Sequence, residues 1–225
     1  MVHMDVGDGH FGKDLSLGPM VSTRLLFQAE MCPLPLLAGC LYSFYRPQVC
    51  KALKGHGVKA PIDVHLKTLL VNRRIADFIK AGADCISFHP EASDDVAESI
   101  AQIKAGGIKA GLALNVETDL EVVRPLLDNL DVIILMYANK EETMEKARAA
   151  RRMIDEAGAN CRLCVDGGVS GDNMLRCAQA GADMFVVGSA LFKAPRSQKD
   201  YGARIAALRK TLEAAPINRQ PRVRA

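Results

Sequence analysis

An α/β fold built on a parallel sheet is what this sequence predicts, and three observations carry it. Short buried-strand runs alternate with helical patterns along the chain, the signature of βαβ units rather than hairpins. One punctuation recurs in Lys80-Ala81-Gly82-Ala83-Asp84, Glu156-Ala157-Gly158-Ala159-Asn160 and Gln179-Ala180-Gly181-Ala182-Asp183. In each copy the glycine fits the left-handed position that ends a helix, and a short apolar strand follows. The 225 residues are 49% hydrophobic, which is enough for one large core.

Strands are expected at residues 2–6, 61–65, 84–88, 109–114, 131–136, 161–166 and 183–187, where apolar runs of strand length are bounded by turn residues. Helices are expected at 73–80, 94–104, 120–127, 141–156, 171–180 and 201–214, from their 3.6-residue periodicity. Strands and helices alternating in this way fit a (β/α)8 barrel. Seven strands where such a barrel has eight imply that the first strand–helix unit is lacking. Residues 22–48 hold three prolines and follow neither helix nor strand period, so they read as an insertion into a short strand-to-helix connection. A retained intron is the favoured origin of this stretch, and a genuine lid or dimer insertion is the alternative. The expected organisation is one barrel domain over residues 1–215, interrupted at 22–48, followed by a basic tail at 216–225.

Composition narrows the functional classes. Net charge is only +3 and the basic excess gathers in Asn218-Arg219-Gln220-Pro221-Arg222-Val223-Arg224, so no nucleic-acid partner is expected. The seven cysteines show no framework spacing, which favours free thiols in a reducing compartment. The cytoplasm is the expected location, and the lacking first unit leaves an organelle open. Cys161 and Cys164 have C-x-x-C spacing, but on a strand positions i and i+3 face opposite ways, which argues against a redox or zinc pair. The long apolar stretch 31–45 contains Pro33, Pro35 and Gly39 and falls short of the roughly 20 residues a spanning helix needs, so no membrane segment is expected. Charge and polarity in Met1-Val2-His3-Met4-Asp5 argue against a complete signal peptide.

The chemistry gathers at strand ends. Residues i and i+2 of a strand share a face, so His3 and Asp5 can reach one point together. His65 and Asp166 are expected to close their own strands. If the strands are parallel neighbours in a barrel, all four side chains converge at the C-terminal mouth, where such folds keep their chemistry. Two imidazoles and two carboxylates suit one divalent ion such as Zn, Fe(II) or Mn.

Six motifs then carry a family resemblance. His3-Met4-Asp5-Val6-Gly7-Asp8-Gly9-His10-Phe11, Asp63-Val64-His65-Leu66, Phe88-His89-Pro90-Glu91-Ala92, Gly111-Leu112-Ala113-Leu114-Asn115, Val165-Asp166-Gly167-Gly168-Val169 and Gly188-Ser189-Ala190-Leu191-Phe192 occur in the family's order and together resemble ribulose-phosphate 3-epimerase. The resemblance implies a metal-dependent (β/α)8 barrel that epimerises C3 of a ketopentose phosphate, a step of the pentose phosphate pathway. By motif, it assigns His3, Asp5, His65 and Asp166 as metal ligands, with Asp5 and Asp166 doubling as the acid/base pair. It also implies substrate contacts at His65 and Met136, and phosphate binding by the backbone at Gly167, Gly168, Gly188 and Ser189. The expected partner is a small sugar phosphate, with a homo-oligomer as a further expectation.

The chain departs from the family pattern in places. Gly7 and Lys67 stand where the family has methionines over the metal, and Tyr137-Ala138-Asn139-Lys140-Glu141-Glu142 replaces a glycine-rich phosphate loop. These departures keep open a non-catalytic paralogue, or an epimerase of another ketose phosphate. Lys67 and Lys140 are expected in solvent, and His10, His89 and Glu91 are read as supporting residues.

Overall fold

The computed structural model describes residues 1–7, 47–137, 140–192 and 198–213. The chain divides into two compact units, Met1–Gly111 and Leu112–Ala225. Among the described residues the strands follow chain order, β1 to β7. The elements of the first unit are β1 (Val2–Gly7), α1 (Pro47–Gly55), β2 (Ile62–Lys67), α2 (Asn72–Lys80), β3 (Cys85–Phe88) and α3 (Val96–Ala105), and β4 (Lys109–Leu114) crosses into the second. Residues 22–46 and the tail 216–225 lie outside the described residues, as does His10.

The first unit is built on parallel pairing of β1 with β2 and of β2 with β3. The register sets His3 beside Asp63, Asp5 beside His65 and Gly7 beside Lys67, and His65 beside Ser87. Side chains of paired residues point the same way, so these residues share one face. The alternate residues Ile62, Val64, Leu66, Ile86 and Phe88 are fully buried, as are Ile75 and Phe78 of α2. Each such side chain contributes about 1.5–3 kcal/mol on leaving water. A parallel strand buried on both faces normally reads as an unbroken apolar run. β2 instead alternates Asp63, His65 and Lys67 with Val64 and Leu66, and Asp63 and His65 are fully buried. Burying such groups costs free energy unless they find partners, so the alternation marks a site.

The second unit holds β5 (Val132–Met136), α4 (Glu141–Glu156), β6 (Arg162–Asp166), α5 (Met174–Gln179), β7 (Met184–Phe185), α6 (Ser189–Phe192) and α7 (Gln198–Glu213). β5 pairs with β6 in parallel, which sets Met136 beside Asp166, and β6 pairs with β7. Residues Ile133, Ile134, Leu135, Leu163, Cys164 and Val165 are fully buried.

The repeated glycine punctuation has a local cause. Gly82, Gly158 and Gly181 all have positive φ (92°, 61° and 109°), the conformation that lets a helix end and the chain turn into a strand. In two copies the following aspartate also fixes the register. The Asp84 N–H donates to the Ile62 carbonyl (2.9 Å) while its carboxylate accepts the Ile62 N–H (2.7 Å) and the Lys54 ammonium (2.5 Å). The Asp183 N–H donates to the Leu163 carbonyl (2.9 Å) and its carboxylate accepts the Leu163 N–H (3.1 Å) and Arg162 Nε–H (2.8 Å). Each aspartate therefore grips the preceding strand by one residue.

Several boundaries differ from expectation. The helix expected over 120–127 is instead two 3₁₀ segments, Leu120–Val122 and Arg124–Asn129. Pro125 has no N–H to continue an α-helical ladder and its ring crowds the turn before it. β2 runs two residues past His65, so His65 lies inside its strand rather than at its end, whereas Asp166 does close β6. The strand expected over 183–187 contracts to Met184–Phe185, although Val186 still donates to the Val165 carbonyl. α3 starts two residues later than expected, at Val96, where Asp95 caps it by accepting the Glu98 N–H (2.9 Å).

Candidate functional site

Three of the expected ligands meet in the first unit. His3 Nε2 lies 3.5 Å and His65 Nδ1 3.2 Å from the same oxygen, Asp5 Oδ1. The strands explain this: His3 and Asp5 are two apart on β1, and the register lays His65 directly beside Asp5. Behind the ligands stands a second layer. His3 Nδ1 lies 2.7 Å from Asp63 Oδ2, and Ser87 Oγ donates to Asp63 Oδ1 at 3.5 Å. Because a carboxylate only accepts, Nδ1 of His3 carries a proton, which leaves Nε2 on the Asp5 side as the nitrogen available to a metal. His65 Nε2 faces His89 Nε2 at 3.1 Å.

Burial alone would raise the Asp5 carboxyl. Hydrogen bonds with His3 and His65 and the nearby positive charge of Lys67 outweigh that and hold it far below the usual carboxylate range. His65 is lowered, chiefly by burial. His89 is pushed down to about 3 by burial first and then by its positive neighbours. The site is thus an anionic oxygen set between two imidazole nitrogens and an ammonium.

This donor set fits a divalent ion. Bonds of about 2.0–2.1 Å in a tetrahedral shell put neighbouring donors about 3.3 Å apart, and the two nitrogen–oxygen separations bracket that spacing. One departure from expectation is plain: Lys67 is not in solvent. Its Nζ lies 2.8 Å from Asp5 Oδ1. Gly7, the register partner of Lys67, carries no side chain to fill the space on that face.

In the second unit Asp166 is buried at the last position of β6, beside Met136. Its carbonyl accepts the Tyr137 N–H (2.7 Å). Gly167 and Gly168 follow with φ of 87° and 77°, and a Cβ on Gly167 would lie 3.2 Å from the Tyr137 nitrogen, so only glycine fits there without strain. Asn173 holds the turn by donating to the Gly168 carbonyl (2.9 Å) and accepting the Ser170 N–H (2.9 Å). Gly188 and Ser189 are exposed where α6 begins. Residues 138 and 139 of the altered loop lie outside the described residues. Tyr137 before them has a positive φ of 66°, and Lys140, exposed as expected, has its Nζ 5.0 Å from that ring's centroid.

The family resemblance placed Lys67 over the metal centre, but its ion pair with Asp5 was not foreseen, and Asp63 was given no role. Both lie at two-residue spacing from His65, which was the available signal. Among the described residues no helix is long and apolar enough to cross a membrane.

Comparison with known proteins follows the same line. The model of the ribulose-phosphate 3 epimerase family matches residues 44–192. The chain is 42% identical over 207 residues to the ribulose-phosphate 3-epimerase of Serratia marcescens, covering 88% of this chain and 85% of that one. It is 41% identical to the Escherichia coli protein of that name over 207 residues, covering 88% and 80%. Among solved structures it is similar to a tryptophan synthase alpha-subunit from Pyrococcus furiosus (TM-score 0.57, 16% identity, 94% of this chain and 96% of that one). It is also similar to KGPDC from Streptococcus mutans (TM-score 0.59, 15% identity, 74% and 78%). At such identities these structures speak for the fold, and they support the (β/α)-barrel class read from the sequence.

Proposed function

Since the chain belongs to the ribulose-phosphate 3-epimerase family, we propose that it epimerises C3 of a ketopentose phosphate, interconverting D-ribulose 5-phosphate and D-xylulose 5-phosphate. The observation that carries this reading is the approach of His3 Nε2 and His65 Nδ1 to Asp5 Oδ1. His3, Asp5 and His65 offer two imidazoles and a carboxylate for one divalent ion, and the family resemblance adds Asp166 as a fourth ligand. Such an ion, when bound, supplies positive charge for the oxygens of an enediolate.

The chain's own residues supply the proton chemistry. One aspartate of the pair Asp5 and Asp166 takes the C3 proton and the other returns one to the opposite face, and the roles exchange with direction. Asp5 suits the ionised role, because its neighbours hold the carboxylate charged. His3 and His65 orient it, and Asp63 and His89 orient them. The backbone N–H groups of Gly167, Gly168, Gly188 and Ser189 would meet the phosphate end, where barrels of this class bind it.

A second reading, a relative that keeps the fold without turnover, is favoured by one observation: the Lys67 ammonium on Asp5. An epimerisation assay in deuterated water separates the two. The active reading expects conversion with deuterium at C3, and an Asp166→Asn variant that exchanges but does not epimerise. Full epimerisation by metal-loaded Asp166→Asn removes the two-aspartate mechanism, and no turnover by the wild type supports the second reading.

A further inference from the structure

We propose that Lys67 sets the metal affinity of this site, its ammonium competing with a divalent ion for one oxygen, Asp5 Oδ1. The inference rests on the metal reading above and adds a residue to it. Three nitrogens surround that oxygen, His3 Nε2 at 3.5 Å, His65 Nδ1 at 3.2 Å and Lys67 Nζ at 2.8 Å. The nearest of the three carries the charge. An ion bonded to His3, His65 and Asp5 lies within a few ångströms of all three donor atoms. That is also the space beside Asp5 Oδ1 that the ammonium approaches.

Two positive charges at that separation repel, and little solvent screens them, because the Lys67 and Asp5 side chains are only 23% and 31% exposed. Metal entry must therefore break the ion pair and move the lysine head away. The fold permits both positions. Lys67 is the last residue of β2, its flexible stem has four methylenes, and Gly7 beside it adds no side chain. With the lysine in place, Asp5 has a cationic partner before any ion arrives, so the metal-free protein keeps its site neutralised. The site thus exchanges a single charge for a double one and binds its ion more weakly than the same ligands would without Lys67.

Opposite effects on stability and affinity identify this role. Co²⁺ and Zn²⁺ affinities would be measured by competition with a chromophoric chelator for wild type, Lys67→Met, Lys67→Arg and His65→Ala. The melting temperature of each would be measured after chelator treatment. Lys67→Met is expected to bind both ions at least about tenfold more tightly while melting lower without metal, since it leaves Asp5 without its ammonium. Lys67→Arg, which keeps the charge, should stay near the wild-type affinity. A lysine that merely props the fold would weaken both readings when replaced. Equal or weaker Co²⁺ binding by Lys67→Met overturns the proposal while leaving the metal site standing. Failure of wild type and Lys67→Met alike to bind either ion overturns the proposal and the metal reading together.

Discussion

His3 Nδ1 and Asp63 Oδ2 lie 2.7 Å apart, and Asp63 is fully buried. This contact fixes the imidazole tautomer, so it decides which nitrogen of His3 can act as a ligand. Asp63→Asn can present an N–H where the carboxylate accepted one, and so frees the ring to flip. Zn²⁺ affinity should fall about 10- to 100-fold with the fold retained. Chelator competition reads the affinity and circular dichroism reads the fold; an unchanged affinity would remove Asp63 from the support of the site.

His89 predicts an acid limb in the stability curve. Its ring titrates near 6.5 when unfolded and is pushed down to about 3 in the fold. Between those values the unfolded chain binds the extra proton, so stability falls as pH drops from about 6.5 toward about 3. In chelator-treated protein, His89→Gln should flatten that limb, as measured by urea midpoints at half-unit steps of pH.

Asp84 predicts the carboxylate pattern. Burial alone would raise its pKa, but the Lys54 ammonium and the Ile62 N–H lower it. A depressed folded value means the contribution is present above the unfolded carboxylate range and is lost as pH falls below about 4. Asp84→Asn should cost about 1 kcal/mol at pH 7, given the exposure of the pair, and much less at pH 3. Equal costs at both values would assign the effect to shape rather than charge.

The three helix-ending glycines should not respond alike to alanine. All have positive φ, which costs an L-residue about 1–2 kcal/mol. A Cβ at Gly158 meets open space, one at Gly82 meets the flexible Lys54 side chain at 3.3 Å, and one at Gly181 meets Arg151 Cβ at 2.6 Å. The loss in urea midpoint should rise in the order Gly158→Ala, Gly82→Ala, Gly181→Ala. A reversed order would mean that backbone strain, not crowding, sets the cost.

The strands were legible because each is a short apolar run ended by a recognisable turn, and the recurring Gly82, Gly158 and Gly181 announced where three of them begin. The helix expected over 120–127 failed because periodicity outweighed Pro125, whose missing N–H favours 3₁₀ turns. In the site, His3, Asp5 and His65 could be read from spacing within single strands. Lys67 shares that spacing, but its ion pair with Asp5 could not be read, because that partner is set by the register between strands. The spacing of Asp63 from His65 put it on the same face, but nothing local to it says that His3 lies alongside.

The strict alternation along β2 has a genetic consequence. Odd-numbered residues 63, 65 and 67 carry the charged and imidazole groups, and even-numbered residues 62, 64 and 66 are apolar and fully buried. Codon substitutions can therefore act on one face and leave the other intact. A single-codon insertion or deletion cannot, because it exchanges the faces for the rest of the strand, sending imidazole and ammonium into the apolar layer and leucine into the site. Natural variation in this strand should consist of replacements at constant length, and mutational scanning should find its reading frame of alternation far less forgiving than any one of its residues.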